Sequence, residues 1–385
     1  MSCVLMCVGS GEDVVELGGF GALSKFGAVT YCNSPDFDGV SGILGFGTPT
    51  PGSLGSHPQP LPLLFVLTGG STDRVPPVEP GSNLLPVRAF SFHAKENAAE
   101  LHLGGYDPAS VEGPMSVFPT VMPTQYMAPA HGVRFGNTQL FRWSDPNITA
   151  ATAFFPALLD SGSSCLVIPD SVQDGTFTIS PYQLWLSLVK DTENPASRDS
   201  FFVNLDGTEY EIPFDVWYVK AVQQSCVQQT PEGFPGIILG DVLFRTHVVM
   251  FDLTLFPETI LLGVAKQNPA YRLPSSLKPS GAPPAVTKIS KVLPPNYQTY
   301  KAPIARSRVP VRNFQDSQVS QMRPRTCTAF RPHSAALTFH AQFFVNVSVG
   351  TPPQTLEVVF DTGSSLFGVF SACEAGQQPP QRTTA

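Results

Sequence analysis

Charge is scarce in this chain: Asp, Glu, Lys and Arg together make up 14% of its 385 residues. With 42% hydrophobic residues beside so little charge, it is a globular chain and not a disordered one, long enough for two lobes with real cores. Long hydrophobic runs are lacking as well. Strictly apolar stretches such as Leu63–Leu67 fall far short of the roughly 20 residues that cross a bilayer, so no membrane span is expected. The opening stretch 1–15 has no basic segment and reaches Glu12 and Asp13 early; it reads as an interior strand, not a signal peptide. Cys-x-x-Cys is absent and the seven His are scattered, which leaves a zinc site without support and implies no cofactor. Seven Cys is an odd number, so at least one thiol has no partner within the chain. Cys3 and Cys7 lie about 13 Å apart along one expected strand, too far to bridge, and Cys165 with Cys226 is the pair to test.

What is abundant is turn chemistry. The 39 Pro and 32 Gly, set among short Val/Phe/Leu/Thr runs, predict a mainly β chain of many strands joined by turns. Two local signals stand out. Ser180-Pro181 followed by Leu184, Trp185 and Leu188 predicts a short capped helix, and Asp206-Gly207 between alternating runs predicts a tight hairpin over 201–212. The small net charge of −7 hides a segregation: residues 266–333 carry 12 Lys/Arg against the single acid Asp316, on an otherwise acidic body. That interval is rich in Pro and Ser without hydrophobic periodicity, so it reads as an extended basic strap. It lacks regularly interleaved aromatics, and nucleic acid is not an expected partner.

The chemistry is carried by a repeat. "ALLDSGSSCLVIP" (157–169) and "VVFDTGSSLFGVF" (358–370) each place an Asp-Ser/Thr-Gly-Ser loop behind apolar residues. One such loop is ordinarily a turn, with Asp as its turn-former. Two of them present a pair of carboxylates, Asp160 and Asp361, whose bases are buried. Like charges so placed cannot both ionise cheaply; they share a proton, the arrangement by which one carboxylate activates water while its partner donates to a carbonyl. Ser161 and Ser163 lack the Gly-x-Ser-x-Gly elbow and a recognisable triad, so a serine nucleophile is not expected.

With its flanks, the chain resembles the pepsin-like aspartic proteases over nearly everything outside the strap. "FFVNVSVGTPPQTLEVVFDTGSS" (343–365) looks like the start of that family's N-terminal lobe, "FDGVSGILGFG" (37–47) like the segment behind its catalytic loop, and "FSFHAKENAAELHLGGYDP" (90–108) like the strands closing the lobe. "ALLDSGSSCLVIP" is similar to the second catalytic loop, and "GIILGDVLFRTHVVMFDLTLFPETILLGVA" (236–265) to the strands that end the C-terminal lobe. The resemblance implies a bilobal fold, an acid endopeptidase acting on protein or peptide substrates, and Asp361 and Asp160 as the catalytic pair. Thr362, Gly363, Ser364, Ser161, Gly162 and Ser163 are then the supporting loop residues. Two loops on one chain make a monomer sufficient. A secretory, vacuolar or extracellular setting is the family's, although no signal peptide is seen.

The order of these segments reads as a circular permutation. Residues 1–125 supply the second part of the N-terminal-type lobe, 126–265 the C-terminal-type lobe, 266–335 the basic linker, and 336–385 the first part of the N-terminal-type lobe. The family's flap, a hairpin whose Tyr closes over substrate, is expected to be missing, with "VGSGEDVV" (8–15) as its nearest remnant, and Gly368 stands where a Trp usually braces that Tyr. Two alternatives stay open: a catalytically weak protease-like binding protein or inhibitor, and a slice of a tandem protease array in which the strap is a second copy's prosegment. Asn147 and Asn346 head glycosylation triplets, of which only Asn147 is a fair acceptor, since Asn346 falls in an expected strand.

Overall fold

The computed structural model describes residues 4–32, 41–49, 60–70, 82–95, 98–142, 154–170, 180–190, 198–220, 224–230, 234, 236–272, 300–305, 326–330 and 343–370. Cys3, Asn147, the stretch 50–59 and most of the strap lie outside them. The elements run in chain order as follows. The first part of the chain holds β1 (Val4–Leu17), β2 (Phe20–Cys32), β3 (Gly42–Gly45), α1 (Leu63–Leu67), β4 (Ala89–Ala94), β5 (Ala98–Leu103) and β6 (Ser116–Pro119). The middle part holds β7 (Met127–Phe135), β8 (Thr138–Arg142), β9 (Phe155–Leu159), β10 (Leu166–Ile168), α2 (Pro181–Val189), β11 (Phe201–Leu205), β12 (Thr208–Ile212), α3 (Phe214–Trp217) and β13 (Tyr218–Val219). It continues through β14 (Gln224–Ser225), β15 (Val227–Gln229), β16 (Ile237–Leu239), α4 (Asp241–Phe244), β17 (His247–Asp252) and β18 (Leu261–Lys266). The last part holds β19 (Tyr300–Ala305), β20 (Thr326–Phe330), β21 (Phe344–Val349), β22 (Gln354–Asp361) and β23 (Phe367–Phe370).

The strands form a mainly β architecture in two large sheets. Thirteen lie in the order β20-β1-β2-β23-β3-β22-β21-β19-β5-β4-β17-β18-β6, and a second sheet runs β12-β11-β7-β9-β16-β10-β15 with β8 on β7. Segments from both ends of the chain thus share one sheet: β22 lies parallel to β3, with Asp361 opposite Gly45. β4 also pairs with β17, with Phe92 opposite Val249.

Local signals act as expected. Asp206 and Gly207 both take positive φ, 46° and 85°, as a tight hairpin turn between β11 and β12 requires. The Ser180 hydroxyl caps α2 by accepting from the Gln183 N–H at 3.0 Å, and Trp185 is the buried anchor of that helix. Cys165 and Cys226 form a disulfide, 61 residues apart in sequence. Breaking it with Cys226→Ala should cost about 2–4 kcal/mol, because the unfolded chain regains loop entropy; a urea midpoint unmoved from that of the intact protein contradicts this.

The strap differs from a plain linker. Two of its segments are strands: β19 lies between β5 and β21, and β20 pairs with β1. Neither segment alternates clearly in sequence. Their pairing depends on open strand edges supplied by distant parts of the chain.

An aromatic raft packs against the β4–β17 pair. Phe360 packs on Phe46 and Phe92 at centroid distances of 5.2 and 5.1 Å, and Phe90 stacks on Phe251 at 4.6 Å. Nearby on β17, His247 is 5% exposed, and burial lowers its pKa from 6.5 to about 4; a Leu243 carbonyl contact opposes the shift and Lys266 adds to it. The unfolded chain therefore takes this proton first. The contribution of His247 to stability is full above about pH 6.5, declines as pH falls towards 4 and is constant below that, a loss of about 3 kcal/mol. His247→Phe should flatten that part of the stability curve in urea titrations; an unchanged slope between pH 6.5 and 4 rules the account out.

Candidate active site

Each Asp loop is built the same way. β9 runs into Asp160, the chain turns through Ser161–Ser164, and it returns as β10, while β16 lies between them, parallel to β9 and antiparallel to β10. β22 runs into Asp361, the chain turns and returns as β23, and β3 lies between them in the same two senses. The intervening strands lock the loops by main-chain bonds. Gly45 N–H donates to Leu366 O at 2.8 Å and Gly47 N–H to Ser364 O at 2.7 Å; on the other side Gly240 N–H donates to Cys165 O at 3.2 Å and Asp241 N–H to Ser163 O at 2.8 Å. A Cβ on Gly45 would lie 2.5 Å from the Leu366 backbone, and one on Gly240 2.3 Å from Ser163 O, so these approaches need glycine.

The loops meet across an approximate two-fold. Thr362 N–H donates to Ser161 Oγ at 3.1 Å, and Ser161 N–H donates to Thr362 Oγ1 at 2.9 Å. Each hydroxyl passes its own proton onward, Thr362 Oγ1 to Leu159 O at 3.0 Å and Ser161 Oγ to Phe360 O at 3.1 Å. Both residues are buried, at 2% and 1% exposure, so neither hydroxyl is presented to a substrate as a nucleophile. With donors and acceptors all used, the brace fixes the two strand ends relative to one another. A further tie comes from Tyr126, whose hydroxyl donates to Phe46 O at 2.6 Å behind the loops.

The carboxylates are held less symmetrically. Asp160 Oδ1 accepts from Gly162 N–H at 2.9 Å and its Oδ2 from the Ser163 hydroxyl at 2.6 Å. Asp361 Oδ1 accepts from Gly363 N–H at 2.8 Å, but the Ser364 hydroxyl, near enough to favour its charge, closes no hydrogen bond. Burial first, and the facing charge of Asp160 second, push the Asp361 carboxyl well above the ordinary carboxylate range. One carboxylate with its full set of donors and one carboxyl that keeps its proton are what a water-activating pair needs.

All eight sequence-predicted site residues come together: Asp361, Asp160, Thr362, Gly363, Ser364, Ser161, Gly162 and Ser163. What the sequence reading missed is the equivalence of the two locking strands. "GILG" at 42–45 and "IILG" at 237–240 are near-copies, and their pairing was the signal available. A second group also escaped it. Among the described residues, His93, Glu100 and His102 bring three buried donor atoms within 4.8 Å of one another, on the face of the β4–β5 hairpin away from Phe92 and the dyad.

The chain is similar to Rhizopuspepsin-1 of Rhizopus niveus, 25% identical over 179 residues that cover 43% of this chain and 40% of the relative. It is similar to Napsin-A of Homo sapiens, 25% identical over 275 residues that cover 66% of this chain and 59% of the relative. The chain therefore spans between 40% and 59% of the length of these curated relatives. The family profile described as eukaryotic aspartyl protease matches residues 10–260 and 342–382, a range that takes in both Asp loops and both locking strands. With that match over most of its length and a mainly β fold, the chain belongs to the eukaryotic aspartyl protease family.

Proposed function

We propose that the protein is an aspartic endopeptidase that hydrolyses peptide bonds of protein substrates at acidic pH, with Asp160 and Asp361 as its catalytic pair. The observation that supports this best is the reciprocal brace of Ser161 and Thr362, which holds two aspartates face to face at the ends of equivalent strands. The ionised carboxylate takes a proton from water, and the protonated partner donates to the scissile carbonyl as the tetrahedral intermediate forms. Asp361, with its raised pKa, is assigned the proton in the resting state. No metal or cofactor is needed for this sequence of steps.

The segment order is read as a circular permutation, in which β21–β23 supply the first half of the lobe that β1–β5 complete. This reading is supported by the placement of β22 beside β3 and of β23 between β2 and β3. The strap segment β20 pairs with Val4 to Val8 of β1 and meets the nearest remnant of the family's flap only at Val8. Incubation of the full chain with an acid-denatured protein between pH 3 and 5 tests the activity. Cleavage that a statine-type peptide blocks is the expected result. Tight saturable peptide binding without any cleavage would instead mark a binding protein.

A further inference from the structure

His93, Glu100 and His102 have the composition of a metal site, but one hydrogen bond argues against a metal. The Asp107 N–H donates to His102 Nδ1 at 3.0 Å, so this nitrogen carries no proton and the neutral ring bears its proton on Nε2. A histidine bound to metal through Nε2 donates from its other nitrogen, which here is already an acceptor. The Nε2–H instead lies 3.1 Å from Glu100 Oε2 without closing a hydrogen bond, and His93 Nε2 lies 3.7 Å from the same oxygen. That carboxylate oxygen also accepts from the Tyr271 hydroxyl at 2.8 Å, and Tyr271 reaches Asp107 Oδ2 at 3.3 Å.

We infer that this cluster is a proton-operated latch that holds the root of the strap on the body and opens when His102 is protonated. Proton uptake from solvent has one place to go on His102, because Nε2 is already protonated. The new proton must sit on Nδ1, where it turns an acceptor into a donor facing the Asp107 N–H. The two donors repel, and the turn beginning at Asp107 moves. That turn is the strap's anchorage: Asn268 Nδ2 donates to Ala109 O at 2.9 Å, Asn268 N–H to Ser110 O at 2.8 Å, and Tyr271 is held by Asp107. The same rows of β5 carry β19, with Lys301 opposite His102 and Pro303 opposite Glu100, so an opening here also loosens the inserted strand.

The charges around the latch act in both directions. Glu100 on β5 and Asp107 on the turn favour a cationic His102, as does Glu112, which is itself paired with Lys266 at 3.2 Å. Lys95 at the β4–β5 turn and Arg272 and Lys266 at the strap root carry the opposing charge, and His93 on β4 competes for the proton. Tyr106 on the adjoining turn and Tyr271 are kept neutral by burial, the latter also by Glu100. All three members of the trio are at most 1% exposed, so water does not screen the repulsion between a protonated Nδ1 and the Asp107 N–H.

Amide hydrogen exchange on the full chain reads the latch without any appeal to catalysis, so it stands or falls separately from the protease reading. After correction for intrinsic rates, amides of 268–272 and of Ala302 and Ile304 should exchange tenfold or more faster at pH 5 than at pH 7.5. His102→Asn keeps an acceptor near the Nδ1 position but takes no proton, and should hold the two rates within twofold. Tyr271→Phe should leave 268–272 fast at both pH values. Side-chain 15N shifts of the unmutated protein supply a check that needs no variant to fold: His102 should show the Nε2–H form at pH 7.5 and become doubly protonated as Asp107 loses protection. Acid opening in His102→Asn equal to that of the parent, an Nδ1–H form at neutral pH, or titration of His102 without loss of Asp107 protection would each overturn the latch.

Discussion

Asp361→Asn is expected to lower acid proteolysis by about 10³-fold or more while making the protein more stable at neutral pH. The first effect follows from removing the group assigned to donate a proton in the transition state, a contribution typically of about 10²–10⁴. Stability should move the other way, and the sign can be worked out. Asp361 has a raised pKa in the fold, through burial and then through the charge of Asp160. An acid whose folded pKa lies above its unfolded value stabilises the fold only while it is protonated, so its contribution is lost as pH rises through the ordinary carboxylate range towards the raised value. Asn cannot ionise, so at pH 7 the variant escapes that loss, whereas at pH 3 the two proteins should unfold at nearly the same urea concentration. Asp160→Asn should be equally inactive. Substantial cleavage by either variant sinks the assignment of the pair, and an Asp361→Asn protein less stable at pH 7 than at pH 3 relative to the parent contradicts the electrostatic account.

The same linkage sets Asp361 against His247. Acid favours the first, because the dyad then carries its proton; it penalises the second, because the unfolded chain gains a proton that the buried imidazole resists down to about pH 4. The working range expected of the enzyme therefore lies on the declining side of the His247 contribution. Acid therefore sets a gain at Asp361 against a loss at His247, and the two offset one another in the stability of the fold.

Much of the site was legible in the sequence because its determinants are local. A loop of Asp, Gly and small hydroxyl residues behind an apolar strand needs only a handful of positions to declare itself, and its second copy removes the ambiguity of the first. The hairpin at Asp206-Gly207 and the cap at Ser180 are legible for the same reason. What the sequence withheld depends on register between distant strands. "YKAPIA" has no strand pattern strong enough to stand alone; β19 exists because β5 and β21 offer it two edges. His93, Glu100 and His102 read as parts of a hairpin until pairing puts His93 directly opposite Glu100, with His102 two residues further along the same face. The seven His seemed scattered because spacing along the chain says nothing about neighbours across a sheet.

The two loop glycines next to the aspartates give the most direct test of how closely the pair is held. A Cβ on Gly363 would lie 2.5 Å from Asp160 Oδ1 and 2.7 Å from its Cγ, and a Cβ on Gly162 would lie 2.5 Å from Asp361 Oδ1. Each glycine therefore makes room for the opposite loop's carboxylate, and the symmetry of the two clashes mirrors the symmetry of the brace. Neither glycine takes a left-handed backbone, so alanine meets no conformational penalty of its own, and its whole effect falls on the facing aspartate. Gly363→Ala should push Asp160 out of line by a sizeable fraction of an ångström, since the clash is with a short side chain fixed by Gly162 N–H and the Ser163 hydroxyl. Misplacement on the scale of 1 Å costs about 10²-fold in rate, so kcat should fall by roughly that factor. The loss should appear in kcat and not in KM, because the substrate-binding surface is untouched. Denaturation of the variant should remain a single transition within a few degrees of the parent, as the cross-brace of Ser161 and Thr362 does not involve the new methyl. A Gly363→Ala enzyme that retains the parent kcat would mean that Asp160 is free to shift without consequence, and the facing geometry would then not be what the rate depends on.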